Sequence, residues 1–134
     1  MTLHPFSQDS AVCTRTLGKL CSELGTEPVM NFISQFHLLW PTRVARLHNA
    51  LASHDRSIGE DSALSMKSAA TMAGAHDLAH LAHLLHAAFR DGDQGAQCSL
   101  ISRIEAAGTG ILSVLEEPKF AEHALLSYMG FVSA

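Results

Sequence analysis

The chain has 134 residues and a formal net charge of −4, with 47% hydrophobic and 16% charged residues. This size and composition predict one folded domain over residues 1–134 rather than a disordered or fibrous chain. The acidic balance argues against nucleic acid as the main partner, and the apolar runs are shorter than the ~20 residues that a membrane span needs. Three scattered cysteines and an N-terminus without a signal-peptide pattern favour a cytoplasmic protein.

The composition and the spacing of apolar residues favour helices over strands. Aromatic residues make up only 6%, and no alternating apolar and polar run of strand length is present. The first helix is predicted over residues 10–24, with Gly25 as its stop. The second begins at Thr26. Its apolar stripe continues past Pro41 as far as Leu51, which indicates one long helix with a bend.

The third helix is predicted to begin after Asp55, a suitable N-cap residue. On a helical wheel its core face consists of small or apolar residues, namely Gly59, Ala63, Met66, Ala70 and Ala73. The opposite face carries Leu64, Lys67, Ser68 and Thr71. Leu64 is therefore predicted to be an exposed apolar residue in the middle of this helix.

Gly74 separates the third helix from a fourth, which Gly92 ends. A fifth helix is predicted over residues 94–117, although Gly108 and Gly110 weaken it by roughly 1 kcal/mol each relative to alanine. The apolar residues 117–134 suggest a short docked helix as a C-terminal extension. The predicted fold class is all-α: an antiparallel up-and-down four-helix bundle with an additional N-terminal helix, its core at about residues 15–116.

The most specific sequence pattern lies in residues 63–75, which read ALSMKSAATMAGA. Upstream lie residues 24–27 (LGTE), then Phe32 and Phe36, and then residues 41–44 (PTRV). Together these segments resemble the histidine-containing phosphotransfer (HPt) domain, whose signature reads roughly A-H-x-L-K-G/S-S-A-x-x-x-G-A. The resemblance covers about residues 15–115.

The resemblance places the family's phosphorylated histidine at Leu64, and no histidine lies between Asp55 and Ala75. In the family, an exposed neutral imidazole accepts the phosphoryl group from the aspartyl phosphate of a receiver domain. A lysine one helical turn after the histidine and the small residue beside that lysine assist this transfer. Lys67 and Ser68 keep these two positions, but a leucine side chain cannot form a bond to phosphorus.

The resemblance thus implies a non-catalytic docking module that binds a receiver domain or a histidine kinase without carrying phosphate. The expected binding surface consists of Glu60, Leu64, Lys67, Ser68 and Thr71. An apolar residue with a polar rim suits a modest protein interface, although a scattered exposed leucine needs no function. The sequence contains no motif of a hydrolase, metalloprotease or nucleotide-binding enzyme, and we expect neither enzymatic activity nor a cofactor.

A second pattern consists of four histidines on the fourth helix, His76, His80, His83 and His86. Their spacing places them on the face opposite the apolar stripe, where a solvated polar surface is the simplest interpretation. Neighbouring imidazoles can also share Zn²⁺ or Ni²⁺. A specific metal site needs a third or fourth ligand, however, and Asp77 is the only further candidate that the sequence suggests. A third alternative is a phosphorelay intermediate that uses one of these histidines. We expect the family's lysine not to lie beside these histidines, because it is on the third helix.

Overall fold

The computed structural model describes residues 13–115. These residues form five α-helices and no strand: α1 (Thr14–Leu24), α2 (Thr26–Ser53), α3 (Arg56–Met72), α4 (His76–Asp91) and α5 (Gln94–Leu115). The predicted all-α class is confirmed. The start of the predicted first helix, the last two residues of the fifth and the C-terminal extension lie outside the described residues.

The ends of α3 and α4 are set by the residues that the sequence indicates. The Asp55 carboxylate accepts a hydrogen bond from the backbone N–H of Ile58 at 3.0 Å, which caps the start of α3. Gly92 ends α4 in the left-handed conformation, with a φ of 70°. α3 ends at Met72 and α4 begins at His76, so a short turn joins them, and they pack against each other as an antiparallel pair.

The long helix α2 passes through Pro41 without a break. A proline inside a helix removes one backbone hydrogen bond and costs about 3 kcal/mol. A row of aromatic side chains just before it offsets this cost. The Phe36 ring lies 6.2 Å from that of Phe32 and 6.0 Å from that of Trp40, and Phe36 and Trp40 are buried.

Helices α2 to α5 enclose one hydrophobic core. Packing between α2 and α3, α3 and α4, α4 and α5, and α5 and α2 closes the ring, whereas α1 packs mainly on α2. The largest fully buried side chains are Leu17, Phe36, Leu47, Met66, Leu78, Leu85, Phe89, Ile101, Ile104 and Ile111. The closest packing is between α3 and α4, because α3 presents mostly alanines to the core.

The start of α1 is attached to the turn between α3 and α4. The backbone N–H of Cys13 donates a hydrogen bond to the carbonyl oxygen of Gly74 at 2.7 Å. Gly74 has a φ of +75°, and a Cβ there would lie 2.6 Å from the Cys13 carbonyl oxygen. The position therefore favours glycine for both its conformation and its space.

Within the described residues, α5 alone is long and apolar enough to cross a membrane, with a mean hydropathy of 1.3. Core helices of soluble bundles share these properties, so the feature is weak evidence for a span. The buried residues of α5 include Leu100, Ile104 and Ile111, and they form one wall of the core. Its buried Gln97 side chain donates a hydrogen bond to the carbonyl oxygen of Ala88 on α4 at 3.1 Å.

Candidate functional site

The outward side of α3 carries the five residues of the predicted binding surface, which we call the α3 face: Glu60, Leu64, Lys67, Ser68 and Thr71. Leu64 is 43% exposed, so its predicted position on the surface is confirmed. Ser68 and Thr71 are also exposed, whereas Glu60 and Lys67 are half-buried. An apolar side chain therefore lies among polar ones on a regular helix.

The opposite side of α3 explains why this face has a fixed position. Ala63, Ala70 and Ala73 are fully buried, and Met66 is almost so. Small side chains allow two helices to approach closely, and the aromatic ring of Phe89 on α4 packs directly over Gly59 on α3. The α3 face consequently rests on the tightest helix pair in the bundle.

Close packing of α3 and α4 brings Lys67 into contact with a histidine. The Nζ atom of Lys67 lies 3.2 Å from Nδ1 of His83 on α4. Within residues 13–115, no carboxylate forms an ion pair with Lys67. Among these residues, the lysine charge is thus held beside an imidazole and is not neutralised by an acid.

A second contact crosses the same helix pair nearer the start of α3. Nε2 of His86 lies 3.5 Å from a carboxylate oxygen of Glu60, and the two side chains are 23% and 32% exposed. This contact is an ion pair when the imidazole is protonated. Leu64 lies along α3 between the two contacts, four residues after Glu60 and three before Lys67.

Thr71 has a local role in addition to its place on the surface. Its hydroxyl donates a hydrogen bond to the backbone carbonyl oxygen of Lys67 at 2.8 Å. The hydroxyl hydrogen is therefore used within the helix, and the side chain offers a partner its methyl group and its oxygen lone pairs.

The structure divides the histidines of α4 among different neighbours. His83 and His86 contact α3, while Nε2 of His76 lies 3.4 Å from the hydroxyl oxygen of Thr16 on α1. His80 is exposed. No group of three or more His, Cys, Asp or Glu side chains suited to a metal ion occurs in the described part of the chain.

The contact between Lys67 and His83 corrects one expectation from the sequence. The sequence predicts no contact between this lysine and the histidines of α4, because they lie on different helices. A helical wheel gives the outward side of one helix but not the residues of its neighbour that meet it. The sequence does contain one indication of this contact. Lys67 and His83 each lie eight residues from Ala75 in the turn between α3 and α4, so two antiparallel helices would bring them to the same level.

Comparison with known families agrees with this architecture. The family model described as Hpt domain matches residues 31–114, which is more than half of the chain. The matched region begins within α2 and ends within α5, so it contains the α3 face and both of its contacts with α4. No curated protein and no solved structure matches the chain.

Proposed function

The chain belongs to the Hpt domain family, whose members act in two-component phosphorelays, and we propose that it is a docking module that binds a receiver domain or a histidine kinase without carrying phosphate. The proposal places Leu64 at the position of the family's phosphoacceptor histidine. It also assigns the module to the cytoplasm, as one domain that needs no cofactor.

The observation that carries this proposal is the exposed Leu64 in the middle of the α3 face. Phosphoryl transfer through a protein side chain requires a nucleophile, and α3 contains no histidine at all. Lys67 and Ser68 nevertheless remain on this face. A surface that keeps the residues around a reacting group and replaces that group by an apolar one suits binding without transfer.

The chemistry of the face suits a partner that offers an acidic surface around an apolar contact. A partner with an acidic surface would be attracted to the charge of Lys67, which no described carboxylate neutralises. The isobutyl group of Leu64 then supplies the apolar contact at the centre of the interface. Apolar centres of this kind contribute most of the affinity in many protein complexes.

Affinity capture from lysate tests the proposal when wild type is compared with the double variant Leu64→Arg/Lys67→Glu. We expect wild type to retain receiver-containing proteins or a histidine kinase, and the double variant to lose them. A matched control is Leu24→Arg/Lys19→Glu, which makes the same changes at exposed positions of α1. Equal retention by all three proteins would show that the α3 face is not the docking surface.

The contact between Lys67 and His83 favours a second candidate function, a phosphorelay intermediate that uses a non-standard histidine. In this case Nδ1 of His83, released from its contact with the Lys67 ammonium, attacks the phosphorus of an aspartyl phosphate. A P–N bond forms, the bond between phosphorus and the aspartate oxygen breaks, the carboxylate leaves, and the ring keeps its proton on Nε2. Lys67 would neutralise the phosphoryl oxygens from its position 3.2 Å from Nδ1.

Phosphoramidate distinguishes the two candidates, because it donates its phosphoryl group to histidine and releases ammonia. The docking proposal predicts, by intact mass, that the wild-type protein takes up no more acid-labile phosphate than His83→Gln does. Incorporation that His83→Gln abolishes and His80→Gln preserves would instead establish the second candidate. His80 is a suitable control because it is exposed on the same helix.

A further inference from the structure

The two contacts between α3 and α4 respond in opposite ways to a proton. Nδ1 of His83 accepts a hydrogen bond from the Lys67 ammonium only while the ring is neutral, because lysine has donors and no acceptor. A proton on Nδ1 turns this contact into repulsion between two cations. The contact of His86 with Glu60 instead becomes an ion pair when its ring is protonated. Histidine is the residue type that exchanges its proton between about pH 5 and pH 8, so mild acidification acts on both contacts.

The effects of these two protons on stability oppose each other, whereas their effects on charge add. Repulsion between His83 and Lys67 favours unfolding, and the ion pair of His86 with Glu60 favours folding. The formal charge of the four groups is zero with neutral rings, since Lys67 carries +1 and Glu60 carries −1. With both rings protonated it is +2, because each ring adds +1. Acidification therefore changes the charge of this surface more than the stability of the bundle beneath it.

Other charged groups near these two histidines do not contact them. On α3, Nε of Arg56 donates a hydrogen bond to the carbonyl oxygen of Phe89 at 3.2 Å. On α5, which also packs on α4, Glu105 contacts His48 of α2, and Arg103 is exposed. Within residues 13–115, neither α3 nor α5 gives the two rings a further partner.

The charged groups of α4 and the contact with α1 are also separate from the two rings. On α4, Nε of Arg90 pairs with the carboxylate of Asp91 at 3.3 Å, and His80 is exposed. The start of α4 meets α1 through Thr16, whose hydroxyl oxygen lies 3.4 Å from Nε2 of His76. Protonation of the two rings therefore acts chiefly on their two partners on α3.

We infer that protonation of His83 and His86 strengthens the binding of an acidic partner to the α3 face, so that docking is tighter in mildly acidic than in mildly alkaline solution. This inference rests on the proposed function and deepens it by naming a regulation of the same site. The released Lys67 ammonium and the two imidazolium rings attract acidic side chains of the partner. The ion pair with His86 meanwhile offsets the repulsion that the Glu60 carboxylate exerts on those side chains.

NMR spectra of the full chain between about pH 8 and pH 6 test the two contacts without a partner. We expect the Cε signal of Lys67 to shift together with the His83 ring in wild type and to stay in place in His83→Gln. The side-chain carboxyl signal of Glu60 should follow the His86 ring in the same way and lose this response in His86→Gln. A Lys67 signal that does not move, or that moves equally in His83→Gln, would overturn the inference.

The affinity for a receiver domain obtained by capture, measured at both pH values and constant ionic strength, tests the regulation itself. We expect wild type to bind about fivefold more tightly at about pH 6 than at about pH 8. The double variant His83→Gln/His86→Gln should match wild type at the higher pH and show no gain at the lower one. A matched control, His76→Gln/His80→Gln, removes two histidines from the same helix and should keep the gain.

The outcomes separate this inference from the proposed function. If wild type shows no gain in affinity, or if the gain persists in His83→Gln/His86→Gln, the inference is overturned and the docking function stands. If wild type shows the NMR responses but retains no receiver domain or kinase at either pH, the docking function is refuted, while the proton-dependent contacts of the α3 face remain.

Discussion

The variant Leu64→His is expected to take up an acid-labile phosphoryl group, whereas the wild-type protein takes up none at this position. The new imidazole would stand on an exposed part of α3, with Lys67 three residues further along the same face. Replacing leucine by histidine lowers helix propensity by only about half a kcal/mol, so α3 should persist. Mass spectrometry after incubation with phosphoramidate or a phosphorylated receiver domain measures the gain directly.

A matched control separates this effect from the general reactivity of surface histidines. Leu38 on α2 is 68% exposed and is followed three residues later by Pro41 rather than by lysine. Leu38→His should therefore react no faster than the natural surface histidines. If Leu64→His, with its helix content preserved, incorporates no more phosphate than Leu38→His, position 64 does not correspond to a phosphoacceptor site.

The second large effect is expected at Gly108, where α5 meets α2. A Cβ at this position would lie 1.9 Å from Cζ2 of Trp40, a distance that the buried indole cannot accommodate without moving. Overpacking of a well-packed core costs about 1–3 kcal/mol, more than the roughly 1 kcal/mol that alanine adds in helix propensity. Gly108→Ala should therefore lower the free energy of unfolding, measured by urea denaturation followed by circular dichroism.

Gly110 supplies the control for this prediction because it lies on the same helix, and no atom lies within 4 Å of a Cβ placed there. Gly110→Ala should raise the free energy of unfolding by up to about 1 kcal/mol. Trp40→Phe should recover part of the stability lost in Gly108→Ala, since the smaller ring leaves room for the new methyl group. Stabilisation by both glycine replacements would contradict the close packing of Trp40 on α5.

These two glycines illustrate what a sequence pattern can predict about the fold. Both glycines have the same low helix propensity, so the sequence predicts the same destabilisation of α5 at each position. Only the position of α2 distinguishes them, because Trp40 reaches one and not the other. The N-cap at Asp55 and the stop at Gly92 were predictable because each depends on residues close in the chain.

The candidate site also has features that depend on one helix and features that depend on the packing of two helices. The exposure of Leu64 follows from the period of α3 alone, and the structure confirms it. The contacts of Lys67 with His83 and of Glu60 with His86 depend on how two helices are aligned, which the spacing within either helix does not encode. The histidines of α4 therefore looked like an independent surface, although two of them belong to the surroundings of the α3 face.

The most direct test of the docking function is a titration of a purified receiver domain, identified by capture, against wild type and Leu64→Arg/Lys67→Glu. Removing an apolar anchor and reversing the adjacent charge should each cost about 2 kcal/mol of binding free energy. We therefore predict an affinity loss of roughly 1,000-fold for the double variant and none for Leu24→Arg/Lys19→Glu on α1. An unchanged affinity in a correctly folded Leu64→Arg/Lys67→Glu protein would contradict the assignment of the α3 face as the binding surface.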